Sequence, residues 1–217
     1  MNRPFRGSSS RSGAGATLTA ALSALVVLGC SSPSATPSDS GANPDAATQV
    51  TGAAGGSTFV AADAIFTIAD VTGFEFHGQS TDLLITTFTG ACSKEQAGAG
   101  VKGGRSIIIG LAVNDAGGNA SAVATPGTHV IASGSGATAA GARVAQLFYQ
   151  RVGDDCLRAE SHEAASGQVV VTSVDTSALA GTFDVVLSDT NEHVTGSFVA
   201  ASCSSFDPNR TPVTTCQ

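Results

Sequence analysis

Cysteine and histidine do most of the covalent and acid–base work in proteins, and this 217-residue chain has five of the one and four of the other. His77, His129, His162 and His193 stand singly, with no HExxH among them, and His162-Glu163 alone is a common dipeptide. Each reads as a solvated strand residue. A zinc centre needs ligands at close spacing, such as CxxC or a histidine three to five residues from a cysteine, and neither occurs. The serine nucleophile motifs Gly-x-Ser-x-Gly and Ser-x-x-Lys are absent, and Ser133-Gly134-Ser135-Gly136 reads as a low-complexity loop. Asp154-Asp155, with Glu160 and Glu163 beyond, is a weak candidate for a hard cation such as Ca²⁺ held through oxygens; a charged turn before a strand is the plainer reading. Asp115 and Asn119 match only part of a calcium-loop pattern, because the downstream glutamate is missing. No cofactor is expected.

Cys92, Cys156, Cys203 and Cys216 form an even set, which in an exported domain points to two disulfides. Four cysteines admit three connectivities. The favoured one closes the polar C-terminal loop with Cys203–Cys216 and leaves Cys92–Cys156 as a long bridge.

Cys30 is set apart from these four by what precedes it. Residues 1–13 carry Arg3, Arg6 and Arg11 and no acid, and residues 14–28 (AGATLTAALSALVVL) are uncharged. A basic head followed by a short apolar run is the form of a secretory signal peptide, and the run is shorter than the ~20 residues of a spanning helix. Val27-Leu28-Gly29-Cys30 resembles the bacterial lipobox. By that resemblance, cleavage falls between Gly29 and Cys30, and the Cys30 thiol accepts diacylglycerol, anchoring the chain in a bilayer. Palmitate-like acyl chains at ~0.8 kcal/mol per buried CH₂ make such an anchor stable. Residues 1–29 are thus a signal peptide, and 30–56, rich in Ser, Pro, Ala and Gly, a disordered tether reaching about 28 Å. Ser31 is not the aspartate that retains enterobacterial lipoproteins in the inner membrane, so the expected location is the outer membrane of the cell envelope.

Composition narrows the partners. Without Arg3, Arg6 and Arg11, 7 of the 10 Lys and Arg remain against 17 acids, a net charge of −10. That surplus disfavours nucleic acid, whose binding rests on basic residues neutralising phosphates. With no Trp and one Tyr, Tyr149, an aromatic platform for sugar is poorly supplied.

The elements that must hold these residues are strands. From Ser57 to Gln217, short runs of Val, Ile, Phe and Thr recur between Gly, Asp, Asn and Ser clusters, with no convincing amphipathic helix. Strands are expected near 57–69, 73–77, 82–89, 104–113, 127–133, 142–151, 156–163, 167–174, 180–188 and 192–200. The last two form a hairpin: Phe183, Val185 and Leu187 share one face, Val194, Phe198 and Ala200 share another, and Asp189-Thr190-Asn191 joins them. Gly181-Thr182-Phe183 and Gly196-Ser197-Phe198 echo each other across that turn. Ser106–Val113 is almost continuously apolar, as suits a central strand buried on both sides. The fold class expected for 57–217 is all-β, a single antiparallel β-sandwich, with a small open-ended β-barrel as the alternative.

The lipobox, the Ser/Pro/Ala tether and the closing Gly196-Ser197-Phe198…Ala200…Cys203, with Gly167, Val169 and Val171 before it, together resemble uncharacterised envelope lipoproteins of myxobacteria. The resemblance implies a kind of protein and no activity. The function expected is non-catalytic, a binding or structural role toward an unidentified protein or surface polymer. A carrier of a small apolar ligand is the alternative, and a hydrolase the lesser one.

Overall fold

The structure, a computed structural model, describes residues 48–71, 78–115, 120–132, 139–208 and 216. The signal peptide, Cys30, the tether up to residue 47, the expected strand at 73–77 with His77, Asn119 and the 133–136 loop lie outside the described residues. In chain order the strands are β1 (Gln49–Ala54), β2 (Ser57–Thr58), β3 (Asp63–Val71), β4 (Gly78–Thr86), β5 (Arg105–Asn114), β6 (Ala120–Ala122), β7 (Gly127–Ile131), β8 (Arg143–Val152), β9 (Arg158–Val174), β10 (Ala178–Leu187) and β11 (His193–Ser202), and a helix, α1 (Ala91–Ala97), lies between β4 and β5. The domain is all-β, as its alternating apolar runs require.

Pairing runs from β9 to β10, then β11, β3, β4, β5 and β8, and β8 pairs again with β9. The hydrogen-bonded circuit therefore returns to its start. The two sheets of the expected sandwich are joined along both edges into one barrel-like sheet, which leaves few open edges. It is not wholly antiparallel. β11–β3 and β7–β8 pair in parallel over two residues each, where a strand end slots beside one distant in sequence and no hairpin connects them.

Alternate residues fill the interior. Phe66, Leu83, Ile85, Ile107, Ile109, Leu111, Leu147, Val169, Phe183, Val185, Leu187 and Phe198 belong to one continuous buried cluster. The Gly/Phe echo of the last hairpin has a steric cause. Gly181 lies directly opposite Phe198 and Phe183 opposite Gly196. A methyl group on Gly181 would sit 2.7 Å from the Phe198 ring, and one on Gly196 2.6 Å from the Phe183 ring. Each ring covers the glycine facing it, and no larger residue fits beneath.

Besides the disulfide pairing below and the single strand expected at 57–69, which is two, β2 and β3, parted at residues 59–62, three expectations need correction. The expected tether extends to residue 56, but Gln49–Ala54 forms β1, in register with Thr195 and Ser197 of β11, and turns through Gly55-Gly56 into β2. Both glycines have positive φ (62° and 70°), the requirement of a type I′ hairpin. Ser/Ala/Gly composition concealed this strand. The separate strands at 156–163 and 167–174 are one, β9, whose first part pairs with β8 and second with β7. The third is α1. Its seven residues lie between Gly90 and Gly98, both left-handed, and Asp63 accepts the Ala91 N–H at 2.9 Å. Two turns are too few for an amphipathic period to show.

The helix is there because β4 is buried on both faces. Leu83 and Ile85 face the interior, while Leu84 packs with Ile65, Ala91, Cys203 and Phe206 in an outer cluster under α1 and the C-terminal loop. This covering decides the disulfides. Cys92 of α1 bonds Cys203 just past β11, and Cys156 in the β8–β9 turn bonds Cys216, in place of the expected Cys92–Cys156 and Cys203–Cys216. The Cys203 N–H is tied to the Phe66 carbonyl, which seats it beneath the helix and away from its near neighbour in sequence. The bridges close separations of 111 and 60 residues, worth about 4–5 kcal/mol each on the loop-entropy view.

A polar row crosses the same outer face. Thr67, Asp82, Gly110 and Gln146 are successive cross-strand neighbours, all buried. Ser80 donates its hydroxyl to Asp82 Oδ2, while Asp82 Oδ1 and Gln146 Oε1 make no hydrogen bond among the described residues. Burial raises the Asp82 carboxyl to about 6, against the partial relief of that serine.

Two outcomes follow for stability. Non-reducing peptide mapping should recover fragments joining 92 to 203 and 156 to 216; a fragment cross-linked only between 203 and 216 would refute the pairing. Because the folded state holds the Asp82 proton more tightly than the unfolded chain, ionising it costs stability, from nothing near pH 4 to its full extent above pH 6. Asp82→Asn should therefore be more stable than the parent at pH 7.5, by up to ~3 kcal/mol. Urea midpoints should show the gap closing as pH falls to 4.

Candidate functional site

At one end of the barrel, the interior face changes from apolar to charged. The β5–β8–β9 register sets this out in rows: Ile107, Tyr149 and His162 in one, Arg105, Arg151 and Glu160 in the next. Side chains directly opposite in antiparallel strands share a face, so all six look toward the same opening. Tyr149 closes the apolar core below them. It is 1% exposed, meets Phe59 edge-on with ring centroids 6.4 Å apart, and stacks on the His162 imidazole at 5.8 Å and 16°.

His162 is the centre of a chain of ion pairs. Its Nε2 lies 2.9 Å from Glu160 Oε1 and its Nδ1 2.7 Å from Asp189 Oδ2 in the β10–β11 hairpin. Glu160 Oε2 in turn accepts the Arg151 Nε–H at 2.9 Å. Carboxylates at both ring nitrogens, Glu160 first, hold the imidazole proton above its usual range, against the opposing effect of burial. For Glu160, burial alone would raise the carboxyl, but the hydrogen bonds from His162 and Arg151 outweigh it and the net shift is downward. The His162 bond likewise lowers Asp189.

The hairpin β1–β2 forms the wall of this end. Gly55 and Gly56 donate their N–H groups to the two oxygens of Glu192, at 2.9 and 2.7 Å. Gly55 admits no side chain, since a Cβ there would stand 2.5 Å from Glu160 Oε1 and 2.7 Å from Tyr149 Cε1. Arg105 Nη1 reaches across to the Thr58 carbonyl at 3.0 Å. Between these walls is an open pocket of ≈ 680 Å³ lined by Gly55, Ser57, Gly103, Arg105, Tyr149, Arg151, Ala159 and Glu160.

Of the residues singled out from sequence, Cys92, Cys156, Cys203 and Cys216 are in disulfides. Asp154 and Asp155 occupy the β8–β9 turn, where Asp155 Oδ1 accepts the Leu157 N–H. Glu160, read beside them as a ligand, is engaged by Arg151 and His162, so the acids do not converge. Among the described residues no group of three or more His, Cys, Asp or Glu is placed to hold a metal ion. Two histidines depart from the solvated reading. His162 is mostly buried in its ion-pair chain, and His129 is fully buried facing inward on β7, with its Nδ1 3.3 Å from the Gly127 carbonyl. Burial lowers the proton affinity of His129. His193 is exposed and pairs with Asp184.

The sequence does not mark Arg105, Tyr149, Arg151, His162, Asp189 and Glu192 as a group. Period-2 reading would have put Tyr149 with Arg151, and Glu160 with His162, on single faces. Nothing in the sequence specifies that those faces meet, or that Asp189 folds onto them.

The pH dependence of this end has a definite sign. His162 has a raised folded pKa, so its contribution is complete below about pH 6.5 and is lost as pH rises through the raised value. Glu160 and Asp189, lowered, contribute at all pH above about 4.5 and lose their part only in stronger acid. His162→Gln should cost ~1–2 kcal/mol near pH 6 and much less at pH 9, read from chemical denaturation at the two pH values.

No protein-family model, curated protein or solved structure matches this chain, and the reading of the site rests on its own geometry.

Proposed function

We propose that the chain is a lipid-anchored lipoprotein of the bacterial cell envelope, held in the outer membrane by acylated Cys30, with a non-catalytic β domain that binds or supports a partner there. What supports the non-catalytic part is the state of His162, the histidine at the charged end of the barrel. Both ring nitrogens are held by carboxylates, so neither is free to take a proton from a nucleophile, which general-base catalysis requires. The partner is a protein or surface polymer.

Two further observations support the reading. Disulfides belong to oxidising compartments outside the cytoplasm, and both pairs here are at bonding distance. The barrel interior is occupied by Phe66, Leu83, Ile109, Phe183 and Phe198, which weighs against the carrier alternative, since that needs an internal apolar cavity.

Cys30→Ala should lose metabolic labelling by an alkyne fatty acid and leave the membrane fraction, with the β domain still folded. Retention of both label and membrane association in that variant would sink the anchor.

A further inference from the structure

We propose that the open pocket at the charged end of the barrel is a binding site for an oxyanion, a carboxylate or phosphate group, gripped between Arg105 and Arg151 above the hydroxyl of Tyr149. This rests on the reading of the domain as a binding module and specifies the chemistry it recognises.

Arg105 and Arg151 are directly opposite in the β5–β8 register. Like charges so placed repel, and both line one pocket. Arg105 donates to the Thr58 carbonyl and Arg151 to Glu160. A guanidinium carries five donors in a planar fork suited to carboxylate and phosphate oxygens. An anion between them converts the repulsion into two attractions.

Tyr149 supplies the independent sign of a ligand. It is 1% exposed and lines the pocket. Its Oη is buried within reach of the Arg105 guanidinium, which can only donate to it, so the hydroxyl proton has no acceptor among the described residues. A buried hydroxyl proton without an acceptor destabilises the fold, and an acceptor oxygen in the pocket would relieve it.

The bond from Gly103 N to Val152 O and the Val152–Arg158 pairing bring the segments of Arg105 and Arg151 side by side, with Asp154 and Asp155 in the turn beyond. Glu160 lies in the pocket wall, but its charge is answered by Arg151 and His162. Gly103, with open space where a side chain would project, leaves the mouth clear, and ≈ 680 Å³ admits a group of monosaccharide size.

The test is a titration of the intact chain in detergent, at constant ionic strength, with inorganic phosphate, galacturonate and neutral galactose, followed through arginine Nε–Hε resonances. Saturable shifts at Arg105 and Arg151 with either anion, absent with galactose and at least tenfold weaker in Arg105→Gln, are expected. Phosphate acting alone assigns the phosphate source, and galacturonate alone the carboxylate. Arg105→Lys, which keeps the charge and loses the fork, provides the same weakening should the Gln variant fail to fold. Linear shifts, saturable shifts equally felt at Arg143 beside Thr125, or unchanged binding in a folded Arg105 variant would overturn the site. Chemical conversion of a bound probe would instead overturn the non-catalytic reading and leave the site standing, so the two fail separately.

Discussion

Closure of one sheet upon itself is the constraint on which the rest of this structure depends. A closed sheet of this size has room for side chains and little else, so every inward position must fit its neighbours. The tightest fit is on the β10–β11 hairpin, where Phe198 lies over Gly181 and Phe183 over Gly196. The glycine gap on one strand receives the ring of the other, and two large aromatic groups are buried where two facing pairs of ordinary size would not fit. The backbone comes equally close: a Cβ on Gly181 would stand 2.2 Å from the Val170 carbonyl of β9. Small residues here serve close packing, and this accounts for a glycine-rich chain that still has a filled core.

Closure also explains what lies outside the sheet. β4 belongs to the central part of the circuit and carries apolar residues on both faces, so its outer face needs a cover. The helix α1 and the loop through Phe206 supply it, and each is too short to hold its place by packing alone. Cys92–Cys203 fastens the helix to the end of β11, and Cys156–Cys216 fastens the tail to the β8–β9 turn. The bridges thus join cover to barrel. Where the cover stops, the outer face turns polar, and Asp82 is buried there with incomplete hydrogen bonding.

At the charged end the same strands that pack the core run on past it. Tyr149 and Arg151 are two residues apart on one face of β8, and the first is core while the second is pocket wall. Tyr149 is the boundary between them, apolar ring inward and hydroxyl toward the arginines. The ion-pair chain Arg151–Glu160–His162–Asp189 ties β8, β9 and the β10–β11 hairpin, while Glu192 clasps the β1–β2 turn. These contacts fix the shape of the opening, which Arg105 and Arg151 line.

The all-β class, the last hairpin with its inward Phe183, Val185, Val194 and Phe198, and the central Ser106–Val113 strand were legible in the sequence, because a period of two and a continuous apolar run depend only on nearby residues. The same is true of the four late cysteines as a paired set. β1 and α1 were not legible: the first has the composition of a tether and becomes a strand only because β11 offers it an edge, and the second is two turns long and ordered by what it covers. Cysteine partners, the meeting of Arg105 with Arg151, and the clasp of His162 by Glu160 and Asp189 were decided by tertiary structure alone. Sequence specifies which residues share a strand face; which faces meet depends on the order in which the closed sheet brings its strands together, and that is set by packing of the whole core.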